Sequence, residues 1–288
     1  HLNGNYLPDT IAEALALLGG LDRAIRRGDA VMIKPNFNAS RPLPASTDRA
    51  FLAAVIEILL DAGAKVSVGE LSGRADWPTA KVVKNLKILP LLKRYGVPFV
   101  DFEFDTWVRL AVDGQYWRSF RVPRSIYEAE KRVYLANMRT HSTARFSASL
   151  KLSVGWIDLE DRLILHGGPE GDEKDSAASH EAKIAELNLG WQPDLVLIDG
   201  RRSIVDRTGR TTGQTGSQYV YPNVVMASGD MVAVDAEAVR ILKQIPAPNN
   251  IGVPLREMGQ LAVAEAHRLG SIDALVLEAP ANAKTTQD

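Results

Sequence analysis

The sequence predicts an α/β fold in which helices cover both faces of a mostly parallel sheet, with a small β-hairpin inserted. Three features support this prediction: apolar runs of strand length, helical patterns between them, and polar residues where the apolar runs end. Strands of a parallel sheet are buried on both faces, so they are typically continuous apolar runs. The 288 residues are predicted to form a single α/β domain, either compact or bilobed.

The first third of the chain alternates between predicted helices and strands. A helical pattern over 11–18 is followed by a strand over 30–34, a helix over 51–62, a strand over 65–70, a helix over 82–95 and a strand over 97–101. Thr47-Asp48 offers an N-cap for the second helix, and Gly63 ends it. Pro90 predicts a break or kink in the third helix, because proline lacks the N–H that the helix interior needs.

The remaining chain contains a predicted hairpin and then further strands and helices. Two short runs over 107–112 and 120–122, with a turn at Asp113-Gly114, indicate the hairpin. Further strands are predicted over 132–136, 194–199, 223–227 and 273–277, and helices over 176–189, 232–244 and 255–269. Asp230 is a candidate N-cap for the helix over 232–244.

A polar segment from Asn137 to His166 follows the predicted strand over 132–136 and is the first candidate for a ligand site. It contains two of the five histidines, His141 and His166, with Lys151 between them. Open α/β sheets bind ligands where strands end in polar residues. A histidine that titrates near neutral pH and a desolvated lysine are suited to moving protons, so His141 and Lys151 are the predicted catalytic residues. Lys151 is also suited to forming a covalent adduct.

Polar residues at other strand ends are predicted to share this site, because parallel strands end at one edge of a sheet. The predicted ligand-binding residues are Lys34, Asn36, Glu70, Arg139, Asp199 and Arg201. This edge of the sheet is expected to be locally positive, because it would carry Lys34, Arg139, Lys151, Arg201 and Arg202. The predicted ligand is therefore a small molecule that carries a carboxylate or a phosphate.

Simpler explanations apply to several of these residues. Lys34 can end a strand in solvent, Asp199 can cap a turn, and Arg201-Arg202 can be a solvated pair. His180 and His267 lie in helical patterns and are predicted to be surface or hydrogen-bonded residues rather than catalysts. A non-catalytic binding or scaffold module is accordingly the alternative to an enzyme.

Composition excludes several classes of protein. The chain has no cysteine, so cysteine-ligated iron–sulfur clusters and zinc–thiolate sites are excluded. Its 34 basic and 35 acidic residues predict no nucleic-acid partner. No apolar run approaches the roughly 20 residues that span a bilayer. We therefore expect a cytoplasmic protein that is not associated with a membrane. The chain begins at His1 rather than methionine, so the sequence is compatible with the removal of an N-terminal segment. The sequence does not indicate an oligomeric state.

Several motifs resemble one family, the domain of unknown function 362 (DUF362). The similar stretches are 31–36, 61–64, 68–70, Thr140-His141, 149–151 with Gly155, His166, Asp199-Gly200 and 227–235. They occur in the family's order and cover about residues 30–240. Two positions differ, because Arg139 stands where the family commonly has lysine, and Leu152 follows Lys151 where it often has asparagine.

A weaker resemblance links the chain to the N-terminal part of the nickel-pincer lactate racemases. That family also has histidine, lysine and histidine in this order. The resemblance implies that His141 is an acid/base, that Lys151 tethers a nickel-pincer nucleotide and that His166 binds the metal. It implies a racemase or epimerase of a 2-hydroxy acid as an alternative function.

Overall fold

The computed structural model describes residues 7–72, 77–166, 177–206 and 218–279. The strands are β1 (Ala30–Lys34), β2 (Lys65–Glu70), β3 (Phe99–Asp101), β4 (Trp107–Ala111), β5 (Ser119–Pro123), β6 (Lys131–Asn137), β7 (Arg139–His141), β8 (Arg145–Ser147), β9 (Leu195–Gly200), β10 (Ser203–Val205), β11 (Gln218–Val220) and β12 (Val224–Ser228). The α-helices are α1 (Leu7–Leu17), α2 (Arg49–Asp61), α3 (Thr79–Asn85), α4 (Ile88–Tyr95), α5 (Arg124–Tyr127), α6 (Leu159–Leu165), α7 (Ala177–Glu186), α8 (Met231–Lys243) and α9 (Gly259–Ala266). Short 3₁₀ turns cover Leu21–Arg23, Phe102–Phe104, Leu150–Gly155, Leu187–Leu189 and Leu255–Glu257.

A six-stranded sheet in the order β12-β9-β6-β1-β2-β3 forms the centre of the fold. All neighbouring strands are parallel except β12, which runs antiparallel to β9. The predicted α/β class with a mostly parallel sheet is confirmed. The chain builds outward from β1 to β3 and then crosses to β6 on the other side of β1. This reversal makes the gap between the carboxyl ends of β1 and β6 the topological switch point of the sheet.

Alternate residues of the strands contribute to two separate hydrophobic clusters, one on each face of the sheet. In β1, Val31 and Ile33 pack with α1, α2, α3 and α4, whereas Met32 packs with the cluster that contains α8 and α9. Side chains along a strand point to opposite faces, so both faces are buried and covered by helices. This arrangement explains the continuous apolar runs of the sequence.

Two of the predicted helix starts are confirmed by their caps. The Asp48 carboxylate accepts the backbone N–H groups of Ala50 and Phe51, each at 3.1 Å, so α2 begins at Arg49, two residues earlier than predicted. Asp230 accepts N–H groups at the start of α8 in the same way. Such caps typically stabilise a helix by about 1 kcal/mol.

The predicted kink at Pro90 is wrong in its position. The break lies between α3 and α4, where Lys87 adopts a left-handed conformation with φ of 55°. Pro90 lies in the first turn of α4, where a backbone N–H has no partner within the helix. Proline is therefore compatible with that turn.

The strand predicted over 273–277 does not form. The preceding residues are held on α8, because Asp230 accepts the Ser271 N–H at 2.9 Å and Arg240 donates to the Ile272 carbonyl at 2.8 Å. Residues 273–277 pair with no strand of the sheet, and the Leu275 side chain is 86% exposed. Apolar β-forming residues alone do not specify a strand without a partner edge.

The predicted hairpin insertion is confirmed as the antiparallel pair β4–β5. Two further antiparallel strand pairs, β7–β8 and β10–β11, have no signal in the sequence. The first of them lies within the polar segment that follows β6. None of the described helices is long and apolar enough to cross a membrane.

Candidate functional site

Lys34 ends β1 at the switch point and pairs with Glu70 at the end of β2. Its Nζ lies 2.6 Å from Glu70 Oε1 and also donates to the Pro35 carbonyl at 2.8 Å. Both side chains are buried, and the carboxylate accepts the backbone N–H groups of Phe37 and Leu71 as well. Burial lowers the pKa of Lys34, against the opposing effect of Glu70. The pair is internal, so Lys34 does not end its strand in solvent.

Gly155 packs directly against this pair. A Cβ at position 155 would lie 2.5 Å from Lys34 Nζ and 2.8 Å from Glu70 Oε1. Replacing Gly155 by alanine is therefore expected to lower the free energy of unfolding by about 1–3 kcal/mol, because a buried ion pair must shift. Urea denaturation measures the change.

Gly252 provides the matched control, since a Cβ there meets nothing within 4 Å. The control variant Gly252→Ala is expected to stay within about 0.5 kcal/mol of the wild type. Equal stabilities of the two alanine variants would contradict the close packing at Gly155.

Lys151 lies in the 3₁₀ segment Leu150–Gly155, which α8 holds in place. The Asp235 carboxylate accepts the Ser149 N–H at 2.7 Å, the Ser149 hydroxyl at 2.6 Å and the Leu150 N–H at 2.9 Å. Burial raises the pKa of Asp235 to about 7, although these three donors favour its charged form. The backbone that leads into the lysine is therefore fixed before any ligand binds.

The Lys151 amine has no hydrogen-bond or ion-pair partner within the described part of the chain. Burial lowers the pKa of Lys151 to about 7, and the positive charges of Arg139 and Arg162 contribute to the shift. The side chain keeps partial exposure. A near-neutral amine without a partner is unusual in a folded protein, because buried charges are normally paired.

Arg139 is a second buried cation in this region. It is 7% exposed, its Nε has no hydrogen-bond partner, and its guanidinium makes only a 3.5 Å contact to the Thr140 carbonyl. Burial lowers the pKa of Arg139 to about 10, still well above neutral. The side chain therefore stays charged at physiological pH without a carboxylate partner among the described residues.

Arg162 on α6 completes the group, and it was not predicted from the sequence. Its guanidinium donates to the carbonyls of Leu71 and Ser72, each at 2.8 Å. Burial lowers its pKa to about 10, and its charge lowers the pKa of both Lys34 and Lys151. We refer to Arg139, Lys151 and Arg162 as the cationic cluster.

His141 ends β7 beside the cationic cluster. Its Nδ1 accepts the Ala144 N–H at 3.2 Å, so the proton of the neutral ring resides on Nε2. Burial lowers the pKa of His141 well below its usual value, and the charges of Lys151 and Arg139 act in the same direction. The ring is therefore neutral near pH 7 and presents an N–H donor.

His166 and His180 form a stacked pair that also influences His141. Their ring centroids lie 5.0 Å apart, and His180 Nδ1 lies 3.1 Å from the Leu165 carbonyl, to which it donates. Both rings contribute to the lowered pKa of His141. His180 is hydrogen-bonded, as predicted, but its proximity to His141 has no signal in the helical pattern of α7.

The other predicted ligand residues have partners within the protein that are not members of the cationic cluster. Asn36 holds the loop after β1, since its backbone N–H donates to the Thr47 hydroxyl at 2.8 Å and its side-chain Nδ2 donates to the Ala45 carbonyl at 3.4 Å. Arg201 binds Asp199 through two nitrogens, at 2.9 and 2.7 Å, and Asp48 at 2.7 Å. Arg201 is thus a member of a second charged network rather than half of a solvated pair. The described residues contain no group of three His, Cys, Asp or Glu side chains that could hold a metal ion.

Fold and site together define a doubly wound α/β protein with buried, unpaired cations near the carboxyl edge of its sheet. The DUF362 family model, described as a domain of unknown function, matches residues 31–240. The chain belongs to the DUF362 family, and the matched range agrees with the region expected from the motifs.

Two known proteins are similar to this chain. The thylakoid-associated protein sll1697 of Synechocystis sp. is 25% identical over 232 residues, which cover 80% of this chain and 68% of that protein. The lactate racemase apoprotein from Thermoanaerobacterium thermosaccharolyticum has a similar structure, with a TM-score of 0.51 at 15% identity. The match covers 82% of this chain and 55% of the racemase, so the chain spans about half the length of that enzyme. At this identity the likeness concerns the fold alone.

Proposed function

We propose that this protein is an enzyme that binds a small carboxylate- or phosphate-bearing substrate at the cationic cluster. The observation that supports the proposal is that Arg139 and Lys151 are desolvated cations without a carboxylate partner among the described residues. Desolvating an unpaired charge is costly, and a bound anion offsets the cost by pairing with it. His141 and Lys151 keep partial exposure, which gives a small anion access.

The residues differ in what they can contribute. Arg139 stays charged and presents a planar fork of donors, which suits the binding of a carboxylate or phosphate. Lys151, with its pKa lowered to about 7, is the group that can accept a proton or act as a nucleophile at neutral pH. Neutral His141 can donate its Nε2 proton in a hydrogen bond to the substrate.

The affinity for an anion is expected to depend on pH through Lys151. A bound anion stabilises the ammonium and raises its pKa, so binding takes up a proton when the pH is above about 7. The affinity for oxalate, which keeps a constant charge in this range, should fall by up to about tenfold per pH unit above about pH 7. Isothermal titration calorimetry from about pH 6 to about pH 9 measures the profile.

The variant Lys151→Arg is the control, because a guanidinium keeps its charge throughout this range. Its oxalate affinity should be independent of pH. A wild-type affinity that does not change with pH, or a fall that persists in the variant, would contradict the role of Lys151 in anion binding.

We propose a nickel-pincer type racemase or epimerase of a 2-hydroxy acid as the second candidate. The observation in its favour is that the partnerless Lys151 amine and the His166 ring both act electrostatically on His141. Lys151 and His166 are the two protein groups that the resemblance assigns to such a cofactor, as its tether and as a ligand of its metal. When bound, such a group would supply the chemistry at the hydroxyl-bearing carbon.

The second candidate has a direct test. Protein purified from its native host should contain nickel by elemental analysis and should carry a mass adduct that disappears in Lys151→Met. An unmodified mass together with the absence of nickel would exclude this candidate and leave the anion-binding proposal intact.

A further inference from the structure

A cavity of about 540 Å³ lies at the second charged network, and its lining includes no residue of the cationic cluster. Its lining comes from the loop after β1, the N-cap of α2, the residues that follow β9 and the segment before β12. The lining residues are Pro42, Leu43, Asp48, Arg201, Arg202, Tyr221 and Asn223. The loops after β1 and β9 leave the carboxyl edge of the sheet, where sheets of this strand order hold their ligands.

Ion pairs of Arg201 hold the polar wall of the cavity in place. Its guanidinium bridges the buried Asp199 carboxylate and the Asp48 carboxylate that caps α2. Because Arg201 is paired with both of these acids, it does not supply an unpaired positive charge. Its role is to fix the loop after β9 against the start of α2.

Arg202 is different, because no carboxylate of the described residues lies within ion-pair distance of it. Its guanidinium lies over the Tyr219 ring at 5.3 Å from the centroid, and its Nε has no hydrogen-bond partner. Stacking on the tyrosine orients the planar group without using its donors. An oriented, unpaired guanidinium on a cavity wall is suited to binding a phosphate.

The remaining wall is apolar and aromatic except at Asn223. Pro42 and Leu43 line one part of the cavity, and Tyr221, which is 63% exposed, lines another. Such a wall favours a flat ring, which stacks on tyrosine and displaces water from the aliphatic groups. The volume lies within the range of roughly 300–1,000 Å³ that is typical of sites for small organic ligands.

We propose that this cavity is a second ligand site, which binds a phosphate that carries a flat ring system, of about the size of a nucleoside monophosphate. Arg202 binds the phosphate and Tyr221 stacks on the ring. The site shares no residue with the cationic cluster, so its occupancy is independent of the function proposed for that cluster.

Calorimetric titration with AMP tests the proposal. The wild type should bind AMP, and Arg202→Gln and Tyr221→Ser should each bind it at least tenfold more weakly. Adenosine alone and inorganic phosphate alone should also bind at least tenfold more weakly than AMP. The variant Arg118→Gln is the matched control, because Arg118 is an exposed arginine paired with Asp113 on the β4–β5 hairpin, and its AMP affinity should equal that of the wild type.

The variant Lys151→Met separates this site from the cationic cluster, and it should leave AMP binding unchanged. Absence of AMP binding in the wild type, or unchanged binding in both Arg202→Gln and Tyr221→Ser, would overturn the proposal. The proposal would also be overturned if Lys151→Met lost AMP binding while Arg202→Gln and Tyr221→Ser kept it, because AMP would then occupy the cationic cluster. Circular dichroism and thermal unfolding of each variant confirm that reduced binding is not caused by unfolding.

Discussion

Replacing Lys151 by methionine is expected to raise the free energy of unfolding by about 1–4 kcal/mol and to abolish oxalate binding. The ammonium is desolvated and has no partner among the described residues, so folding costs the free energy of removing it from water. Methionine has a similar length and no charge. Stability and binding should therefore change in opposite directions, which is typical of a residue kept for function.

The gain in stability should depend on pH in a defined direction. Burial lowers the pKa of Lys151 to about 7 from the ordinary value of 10.5. Between these two values the unfolded chain binds a proton that the folded protein does not, so the unfolding free energy of the wild type rises with pH in this window. The variant lacks this rise, and its advantage should be largest at or below about pH 7 and should shrink towards pH 10.5. Urea denaturation at several pH values measures both curves.

Lys131 is the matched control for this substitution, because it is a partly exposed lysine that pairs with Asp194 at 2.8 Å. Lys131→Met should not stabilise the protein and should keep oxalate binding. If Lys151→Met instead loses more than about 1 kcal/mol of stability, the lysine has a structural role and the anion site is not supported.

The positions of Lys34 and Glu70 at one edge of the sheet were predictable, whereas their mutual pairing was not. Both residues end apolar runs, and the parallel β1–β2 pairing places those ends side by side. Sequence position alone does not show that their charges neutralise each other at 2.6 Å. The same applies to Asp199, which lies near the end of β9, and Arg201, which follows that strand, because their ion pair has no signal in the sequence.

Contacts between distant segments explain most of what the sequence did not predict. Arg162 reaches the backbone after β2 over about ninety positions, and Asp235 holds the Lys151 segment over a similar separation. Arg162 belongs to no predicted helix and to no motif. Asp235 lies in the stretch over 227–235 that resembles DUF362, but nothing in that stretch shows which segment its carboxylate binds. By contrast, His141 and Lys151 were predicted because they follow a buried strand, and the structure places them within electrostatic range of each other.

Replacing Glu70 by glutamine is expected to lower the free energy of unfolding by about 3–5 kcal/mol, because it leaves the buried Lys34 ammonium without its counter-charge. The carboxylate accepts three N–H groups through two oxygens, from Lys34, Phe37 and Leu71. Glutamine has one oxygen and one NH₂ group, so in either orientation a donor meets a donor. Urea denaturation of the variant measures the loss.

The exposed Glu128, which pairs with Arg124 on the surface, is the control for this substitution. Glu128→Gln should change the unfolding free energy by less than about 1 kcal/mol, as is typical of exposed ion pairs. A similarly small loss for Glu70→Gln would contradict the assignment of a tightly coupled buried pair. Gly155 packs on Lys34 and ends the 3₁₀ segment that carries Lys151. When Glu70→Gln removes the partner of Lys34, the resulting shift of Lys34 should therefore also move this segment and weaken oxalate binding at Lys151. The buried pair would then support the fold and the geometry of the cationic cluster together.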